Sequence, residues 1–176
     1  MSLEGSVALV TGGGRGVGRA IALGLAEDGA TVAVNYRRDD GAASETVSLI
    51  EAAGGRAKAY QASVDDLEED ELMVNQILDD LGPVSILVNN AGIASRGRMV
   101  ADTDAAELQR VVATHAFGPH YLSRLVLPGM RTLERGDIIM ISSVATRSLG
   151  SHGAPYNMGK TAMEALAYTL AKEEKI

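Results

Sequence analysis

The feature that most limits the possible folds of this chain is an alternation of short apolar runs with longer segments of helical periodicity. In the longer segments, apolar residues recur every three or four positions, which indicates helices that bury one face. Short apolar runs between such helices are typical of parallel strands that are buried on both faces. The runs lie at Val7–Val10, Thr31–Val34, Ala57–Ala62, Ile86–Val88 and Ile138–Ile141.

The helical segments have recognisable ends. Asp28-Gly29 stops the helix after the first run, and Gly54-Gly55 stops the next. Three more helices are predicted at Leu67–Leu81, at Asp104 to about Met130 with Asp102 or Thr103 as its N-cap, and at Pro155 to about Glu174. This order predicts an α/β fold, a doubly wound parallel sheet of the Rossmann type with strand order 3-2-1-4-5, in a single domain over residues 1–176.

Composition excludes several functional classes. Hydrophobic residues make up 46% of the chain and charged residues 22%, which argues against wholesale disorder. A net charge of −7 argues against a nucleic-acid partner. No apolar stretch approaches the ~20 residues of a membrane span, and Met1–Gly5 lacks the basic region of a secretory signal. The absence of cysteine fits a cytoplasmic protein, and we expect no metal site.

A glycine-rich turn, Thr11-Gly12-Gly13-Gly14-Arg15-Gly16-Val17-Gly18, follows the first strand. At this position the N–H groups of a helix N-terminus can bind phosphate, and glycines let the phosphate approach the backbone. The G-x-G-x-x-G spacing is not met because Val17 takes the third glycine's place. Gly12, Gly16 and Gly18 form G-x-x-x-G-x-G instead. The loop alone fits either a dinucleotide site or a tight strand-to-helix turn.

The end of the second strand favours NADP over NAD. It reads Val34-Asn35-Tyr36-Arg37-Arg38, where a carboxylate for a ribose 2′-hydroxyl would be expected. Two arginines there, with Arg15 from the glycine loop, suit a 2′-phosphate through charge-assisted hydrogen bonds. The alternative is a solvated turn in which the arginines pair with Asp39-Asp40.

Tyr156 and Lys160 are the candidate proton-transfer pair. Residues four apart share a helix face, with Cβ atoms ~5–6 Å apart. A lysine ammonium beside a tyrosine stabilises the phenolate, as proton exchange with a carbonyl or alcohol near neutral pH requires. Ser143, at the end of the fifth strand, is placed to orient a substrate oxygen. Taken separately, these residues also fit an exposed helix pair and a capping serine.

Together the motifs resemble those of the short-chain dehydrogenase/reductase family, particularly its 3-oxoacyl-acyl-carrier-protein reductase-like members. They are the glycine loop from Thr11, Asn89-Asn90-Ala91-Gly92 after the fourth strand, Ser143, and Tyr156-x-x-x-Lys160. The resemblance implies hydride transfer between NADPH and a carbonyl or secondary alcohol, with a small-molecule or acyl-thioester substrate. It also implies a homodimer or homotetramer, formed through the two long helices.

The resemblance assigns roles to individual residues. Tyr156 is the general acid/base, Lys160 binds the nicotinamide ribose and stabilises the phenolate, and Ser143 holds the substrate oxygen. Arg15 and Arg37 mark the preference for NADPH. Further contacts with the cofactor are implied for Asn90, Ala91, Gly92, and for Ser63 and Val64 near the adenine.

Three departures from the family pattern qualify these roles. The family's Asn-x-x-Gly on the long helix reads His115-Ala116-Phe117-Gly118, so His115 either serves the proton relay, alters the chemistry or is simply a packed residue. Ser63 replaces an acid near the adenine. The chain ends at Lys175-Ile176, before the family's last strands, so we expect it to be incomplete. The alternative function is therefore a non-catalytic NADP-binding or dimerisation module.

Overall fold

The computed structural model describes residues 2–174, which form a five-stranded parallel sheet flanked by helices. Met1 and the chain end at Lys175-Ile176 lie outside the described residues. The strands are β1 (Val7–Val10), β2 (Thr31–Tyr36), β3 (Arg56–Gln61), β4 (Ile86–Asn89) and β5 (Asp137–Met140). Their order, β3-β2-β1-β4-β5 with every pair parallel, confirms the doubly wound sheet.

The helices also follow the predicted order. They are α1 (Gly16–Glu27), α2 (Asp40–Ala52), α3 (Leu67–Leu81), α4 (Ala105–Val112), α5 (Gly118–Met130), α6 (Ala145–Ser148) and α7 (Ala154–Glu173). A π-helical turn, Ala113–Phe117, joins α4 to α5, so the predicted long helix is present with a widened turn in its middle. The short helix α6 was not predicted.

The N-cap predicted for the long helix is wrong. Asp102 ends a 3₁₀ turn, Val100–Asp102, and the hydroxyl of Thr103 donates to the carbonyl oxygen of Met99 in that turn, so neither side chain caps α4. Asp104 is the N-cap, and its carboxylate accepts a 3.0 Å hydrogen bond from the N–H of Ala106.

The core lies on both faces of the three central strands. Leu9 and Leu87 pack with residues of α3 and α5 on one face, whereas Val10 and Val34 pack with residues of α1 and α2 on the other. The prediction that every strand is buried on both faces is wrong for β3 and β5. These are the two edge strands, and along β3 exposed and partly buried residues alternate because no further strand or helix within residues 2–174 covers its outer side.

Helix α3 contains a buried carboxyl group that lacks hydrogen-bond partners. Asp70 is 0% exposed, and within residues 2–174 neither of its oxygens has a partner. Burial, reinforced by the charges of Asp65, Asp66 and Glu69, raises the pKa of Asp70 to about 8. The side chain is therefore neutral at pH 7, and its ionisation opposes folding at higher pH.

We predict that Asp70→Asn removes a pH dependence of stability. The unfolded chain loses this proton near the ordinary value of 3.8, whereas the native chain keeps it to about 8. The native state therefore binds more protons between these values, and stability falls as pH rises through that window. An asparagine side chain cannot ionise, so the variant lacks this loss of stability. From pH 5 to pH 9, the free energy of unfolding of wild type should therefore fall by roughly 2–4 kcal/mol more than that of the variant. Urea unfolding at both pH values measures this, and an equal change in the free energy of unfolding for the two proteins would contradict the assignment.

Candidate functional site

The glycine loop joins β1 to α1 at the carboxyl edge of the sheet. Gly12 and Gly16 have φ angles of +61° and +55°, in the left-handed region that favours glycine. A Cβ atom on Gly18 would lie 2.3 Å from the carbonyl oxygen of Gly12. The three glycines of the G-x-x-x-G-x-G spacing are therefore required by the path of the backbone.

Helix α1 presents its first turn to a pocket of about 380 Å³. The N-cap, Arg15, makes no side-chain capping hydrogen bond, so the first N–H groups of α1 remain available to an anion. Most of the predicted cofactor-binding residues line this pocket: Gly12, Gly14, Arg15, Val17, Gly18, Tyr36, Arg37, Arg38, Ser63, Val64, Asn90, Ala91 and Gly92. Thr11 and Gly16 are not among its lining residues.

Thr11 acts on the backbone instead. Its hydroxyl oxygen accepts hydrogen bonds from the N–H groups of Asn90 and Ala91, both at 2.9 Å. In return, Nδ2 of Asn90 donates to the carbonyl oxygens of Thr11 and Gly12, at 2.8 and 3.3 Å. These bonds fix the glycine loop to the segment that follows β4.

Asn35 is a site residue that the sequence reasoning missed. It is buried at the end of β2, where its Oδ1 accepts a 3.2 Å hydrogen bond from the N–H of Gly12. Its Nδ2 donates to the carbonyl oxygen of Ala62, at 3.1 Å. One amide thus holds the glycine loop and the end of β3 together. The available signal was an amide side chain at the end of an otherwise apolar strand.

Arg15, Arg37 and Arg38 are exposed and line one end of the pocket. Within residues 2–174, none of the three forms an ion pair. The carboxylate of Asp39 instead caps α2, accepting a 3.0 Å hydrogen bond from the N–H of Ala42. The alternative of arginines paired with Asp39-Asp40 is therefore not what the structure shows, and their positive charge faces the pocket.

Ser63, the predicted neighbour of the adenine, is engaged by acidic side chains. Its hydroxyl donates a very short hydrogen bond to Asp65, and its N–H donates to Oε2 of Glu69 at 2.7 Å. Asp65 lines the same pocket. Acidic groups are thus present beside Ser63, although the residue itself is a serine.

A second pocket, of about 490 Å³, adjoins the first and contains three of the four predicted catalytic residues. Tyr156, Lys160 and His115 line it, and Val17, Asn90, Gly92 and Ile93 line both pockets. Ser143 is not among its lining residues, whereas Ser142 is. The Oγ of Ser143 accepts a 3.2 Å hydrogen bond from the N–H of Ala145, as a capping serine does.

Lys160 is buried without a carboxylate partner within residues 2–174. The residue is only 3% exposed, and its Nζ donates a 2.5 Å hydrogen bond to the carbonyl oxygen of Ile141. The same Nζ lies 6.0 Å from the ring centroid of Tyr156. Burial lowers the pKa of Lys160 to about 8, which leaves the ammonium mostly charged at pH 7. An uncompensated cation therefore stands beside the tyrosine.

His115 lies in the π-helical turn and is 1% exposed. Its ring stands edge-on to that of Tyr156, with centroids 5.0 Å apart. Its Nε2 lies 2.8 Å from the carbonyl oxygen of Ile93, while its buried Nδ1 has no partner within residues 2–174. Burial lowers the pKa of His115, the bond to Ile93 opposes this, and the charge of Lys160 adds to it. The ring is therefore neutral at pH 7.

Two glycines make room for this imidazole. A Cβ atom on Gly92 would lie 2.6 Å from Cε1 of His115, and one on Gly159 would lie 2.8 Å from its Cβ. The sequence reasoning did not single out Gly159, whose requirement becomes visible only through packing across two helices.

No group of three or more His, Asp or Glu side chains within residues 2–174 is placed to hold a metal ion. In the same part of the chain, no helix combines the length and apolar character needed to cross a membrane.

Related proteins carry a similar sequence over nearly all of this chain. The family model described as short chain dehydrogenase matches residues 6–176. The uncharacterized oxidoreductase YgfF of Escherichia coli is 40% identical over 173 residues, which span 96% of this chain and 70% of that protein. A 3-oxoacyl-[acyl-carrier-protein] reductase of Synechocystis is 36% identical over 172 residues, which span 98% of this chain and 69% of the reductase.

Solved structures agree with this similarity. A metagenomic short-chain oxidoreductase in complex with NADP superimposes with a TM-score of 0.94 at 34% identity, covering 98% of this chain and 78% of the other. The angucycline C-6 ketoreductase LanV with bound NADP superimposes with a TM-score of 0.90 at 33% identity, covering 98% and 68%. By sequence and by structure, this chain belongs to the short-chain dehydrogenase family.

Proposed function

We propose that this protein is an oxidoreductase that transfers a hydride between NADPH and a carbonyl or secondary alcohol. The observation that carries the proposal is the continuity of the two pockets through Val17, Asn90 and Gly92. In this proposal, buried Lys160 and partly buried Tyr156 act next to a glycine loop that binds the coenzyme phosphates.

NADP(H) fits the residues of the first pocket. The free N–H groups at the start of α1 suit the pyrophosphate, and the cationic side chains of Arg15, Arg37 and Arg38 suit the 2′-phosphate. Ser63 and Val64 line the same pocket, and in this proposal they contact the adenine. Two relatives of known structure bind NADP. When bound, the coenzyme supplies the hydride, and the protein supplies its position.

In this proposal, Tyr156 and Lys160 supply the proton that is transferred together with the hydride. The Tyr156 hydroxyl donates a proton to the substrate oxygen in the direction of reduction. The ammonium of Lys160 stabilises the resulting phenolate, and it does so more strongly than in water because the residue is buried. We retain Ser143 as the group that holds the substrate oxygen, which requires its hydroxyl to turn from Ala145.

His115 completes the proton path in this proposal. With Nε2–H donated to the carbonyl oxygen of Ile93, the lone pair of Nδ1 has no partner within residues 2–174. Because Nδ1 is buried, the ring must shift to bring this lone pair to a proton-carrying water. Its neutral state at pH 7 lets it accept a hydrogen bond without repelling Lys160.

The substrate class follows from the relatives rather than from the pocket. The Synechocystis protein is a 3-oxoacyl-[acyl-carrier-protein] reductase, and a 36% identical relative from Paracoccus denitrificans is an acetoacetyl-CoA reductase. We therefore propose a small carbonyl compound or a 3-oxoacyl thioester as substrate.

We also propose a cytoplasmic homodimer or homotetramer. Of the apolar residues on the two long helices, Leu122, Val126 and Met163 are buried within the chain itself and leave nothing for a partner. The support comes instead from Phe117 and Tyr168, which are 51% and 69% exposed. The absence of cysteine supports a reducing compartment.

We predict that Tyr156→Phe abolishes turnover but preserves coenzyme binding. Loss of the hydroxyl should lower kcat by about 100-fold or more with a ketone or acetoacetyl thioester, while the Kd for NADPH changes less than about twofold. Tyr168→Phe, on the exposed side of the same helix, is the matched control. NADPH oxidation and coenzyme fluorescence give the two readouts. Wild-type protein that binds NADPH and reduces no carbonyl would favour the binding module.

We predict that Arg37→Asp weakens NADPH binding about 10- to 100-fold and NADH binding much less. The change removes a cation and adds repulsion only for the coenzyme that carries a 2′-phosphate. Arg56→Asp, at the exposed start of β3, is the control for the change in net charge. Fluorescence titration with both coenzymes measures the effect, and equal losses would contradict the 2′-phosphate assignment.

We predict that His115→Phe lowers kcat about tenfold or more, whereas His115→Asn retains most of it. Phenylalanine keeps the ring's bulk and removes Nδ1, while asparagine keeps a polar group. Because the pKa of His115 lies below its ordinary 6.5, its protonation should limit wild-type turnover only on the acidic side of that pH. Steady-state pH profiles of the three proteins test this. Full activity of His115→Phe would identify His115 as a packing residue.

A further inference from the structure

Arg19 ties the glycine loop to α2 from outside the pocket. Its Nε donates to the carbonyl oxygen of Gly14 and to Oγ1 of Thr46, both at 3.0 Å. Its Nη2 donates to the same carbonyl at 2.8 Å, to the carbonyl of Ala42 at 3.2 Å and to Glu45 at 2.6 Å. One guanidinium group thus bridges the loop and the first two turns of α2.

Thr46 makes the second part of this connection. Its side chain is fully buried, and its Oγ1 lies 3.1 Å from the carbonyl oxygens of both Gly14 and Ala42, which share its one hydroxyl proton. Gly14 itself packs against α2, since a Cβ atom there would lie 3.0 Å from the nitrogen of Ala43. We call Arg19 and Thr46, bonded to the Gly14 carbonyl, the Gly14 clamp.

The Gly14 clamp joins the two backbone segments that carry the positive charge at the pocket. Arg15 directly follows Gly14, whereas Arg37-Arg38 directly precede Asp39, the N-cap of α2. The distance between the loop and α2 therefore determines how closely these cations converge. Neither Arg19 nor Thr46 is among the residues that line the pocket.

We infer that Arg19 and Thr46 are positioning residues for coenzyme discrimination: the Gly14 clamp holds Arg15 and Arg37-Arg38 at the separation that a ribose 2′-phosphate requires. The inference rests on the proposed function. Charge-assisted bonds to a phosphate are strong only where the donors are held in place beforehand. NADH has no 2′-phosphate, so its binding depends on the loop N–H groups and not on this convergence.

A purely structural role makes a different prediction. If the clamp only stabilised the loop, its loss would weaken NADPH and NADH alike, because both carry the pyrophosphate that the loop contacts. The ratio of the two dissociation constants therefore separates the two roles, and neither constant alone does so.

The test uses Thr46→Val, Thr46→Ser and Arg19→Lys in the full chain. Valine keeps the shape of threonine and removes the hydroxyl, whereas serine keeps the hydroxyl. Lysine keeps the charge of Arg19 but lacks the several N–H donors of the planar guanidinium group. Glu51→Gln, exposed on the same helix, is the control. Fluorescence titration gives Kd for NADPH and NADH, and calorimetry gives Kd for adenosine 2′,5′-bisphosphate and 5′-AMP. Thermal unfolding of each variant confirms that it is folded.

We expect Thr46→Val and Arg19→Lys to raise the Kd for NADPH about 5- to 10-fold and that for NADH less than about twofold. Thr46→Ser and Glu51→Gln should stay within about twofold of wild type for both coenzymes. If wild type prefers NADPH but Thr46→Val and Arg19→Lys lose affinity equally for both coenzymes, or for neither, the inference is overturned and the coenzyme assignment stands. A wild type without that preference would overturn the coenzyme assignment, and the inference with it. Arg19→Lys decides the question if Thr46→Val does not fold.

Discussion

The contact between Gly18 and the carbonyl of Gly12 sets the geometry on which the whole site depends. Helix α1 can begin beside the loop only because residue 18 has no side chain, since a Cβ there would stand 2.3 Å from that oxygen. Asn90 then binds the same carbonyl and joins the loop to the end of β4. The anion-binding N–H groups and the wall of the second pocket are therefore placed by one junction, at the switch point between β1 and β4.

A shifted pKa points to a functional residue only where the group also lines a pocket, as three buried ionisable groups of this chain illustrate. Lys160, His115 and Asp70 are all buried, and burial is the leading cause of the pKa shift in each. Lys160 and His115 line a pocket with Tyr156, and this location is why we propose that they take part in proton transfer. Asp70 sits in α3 and lines neither pocket, so its raised pKa concerns stability alone.

The sheet could be predicted because buried parallel strands leave an apolar run in the sequence. The bounds of β1 and of α3, Leu67–Leu81, are those predicted. The prediction failed at the edges, where β3 and β5 are only partly covered. An edge strand has a neighbouring strand on one side only. The residues of a strand do not reveal whether a second neighbour is present. The N-cap of α4 was missed because residues 99–103 form a turn closed by their own local hydrogen bonds, which leaves Asp104 to cap the helix.

The site residues that belong to a sequence motif could be predicted. Those that bind backbone atoms far away in the sequence could not. Asn35 and Arg19 bind atoms of Gly12 and Gly14, whose carbonyl and N–H groups carry no sequence signature. The adjacent serines show the same limit. Both lie in the loop after β5, where Ser142 lines the pocket while the Oγ of Ser143 accepts a hydrogen bond from the N–H of Ala145. Which of the two faces a substrate depends on the turn into α6, and the loop after β5 decides that turn.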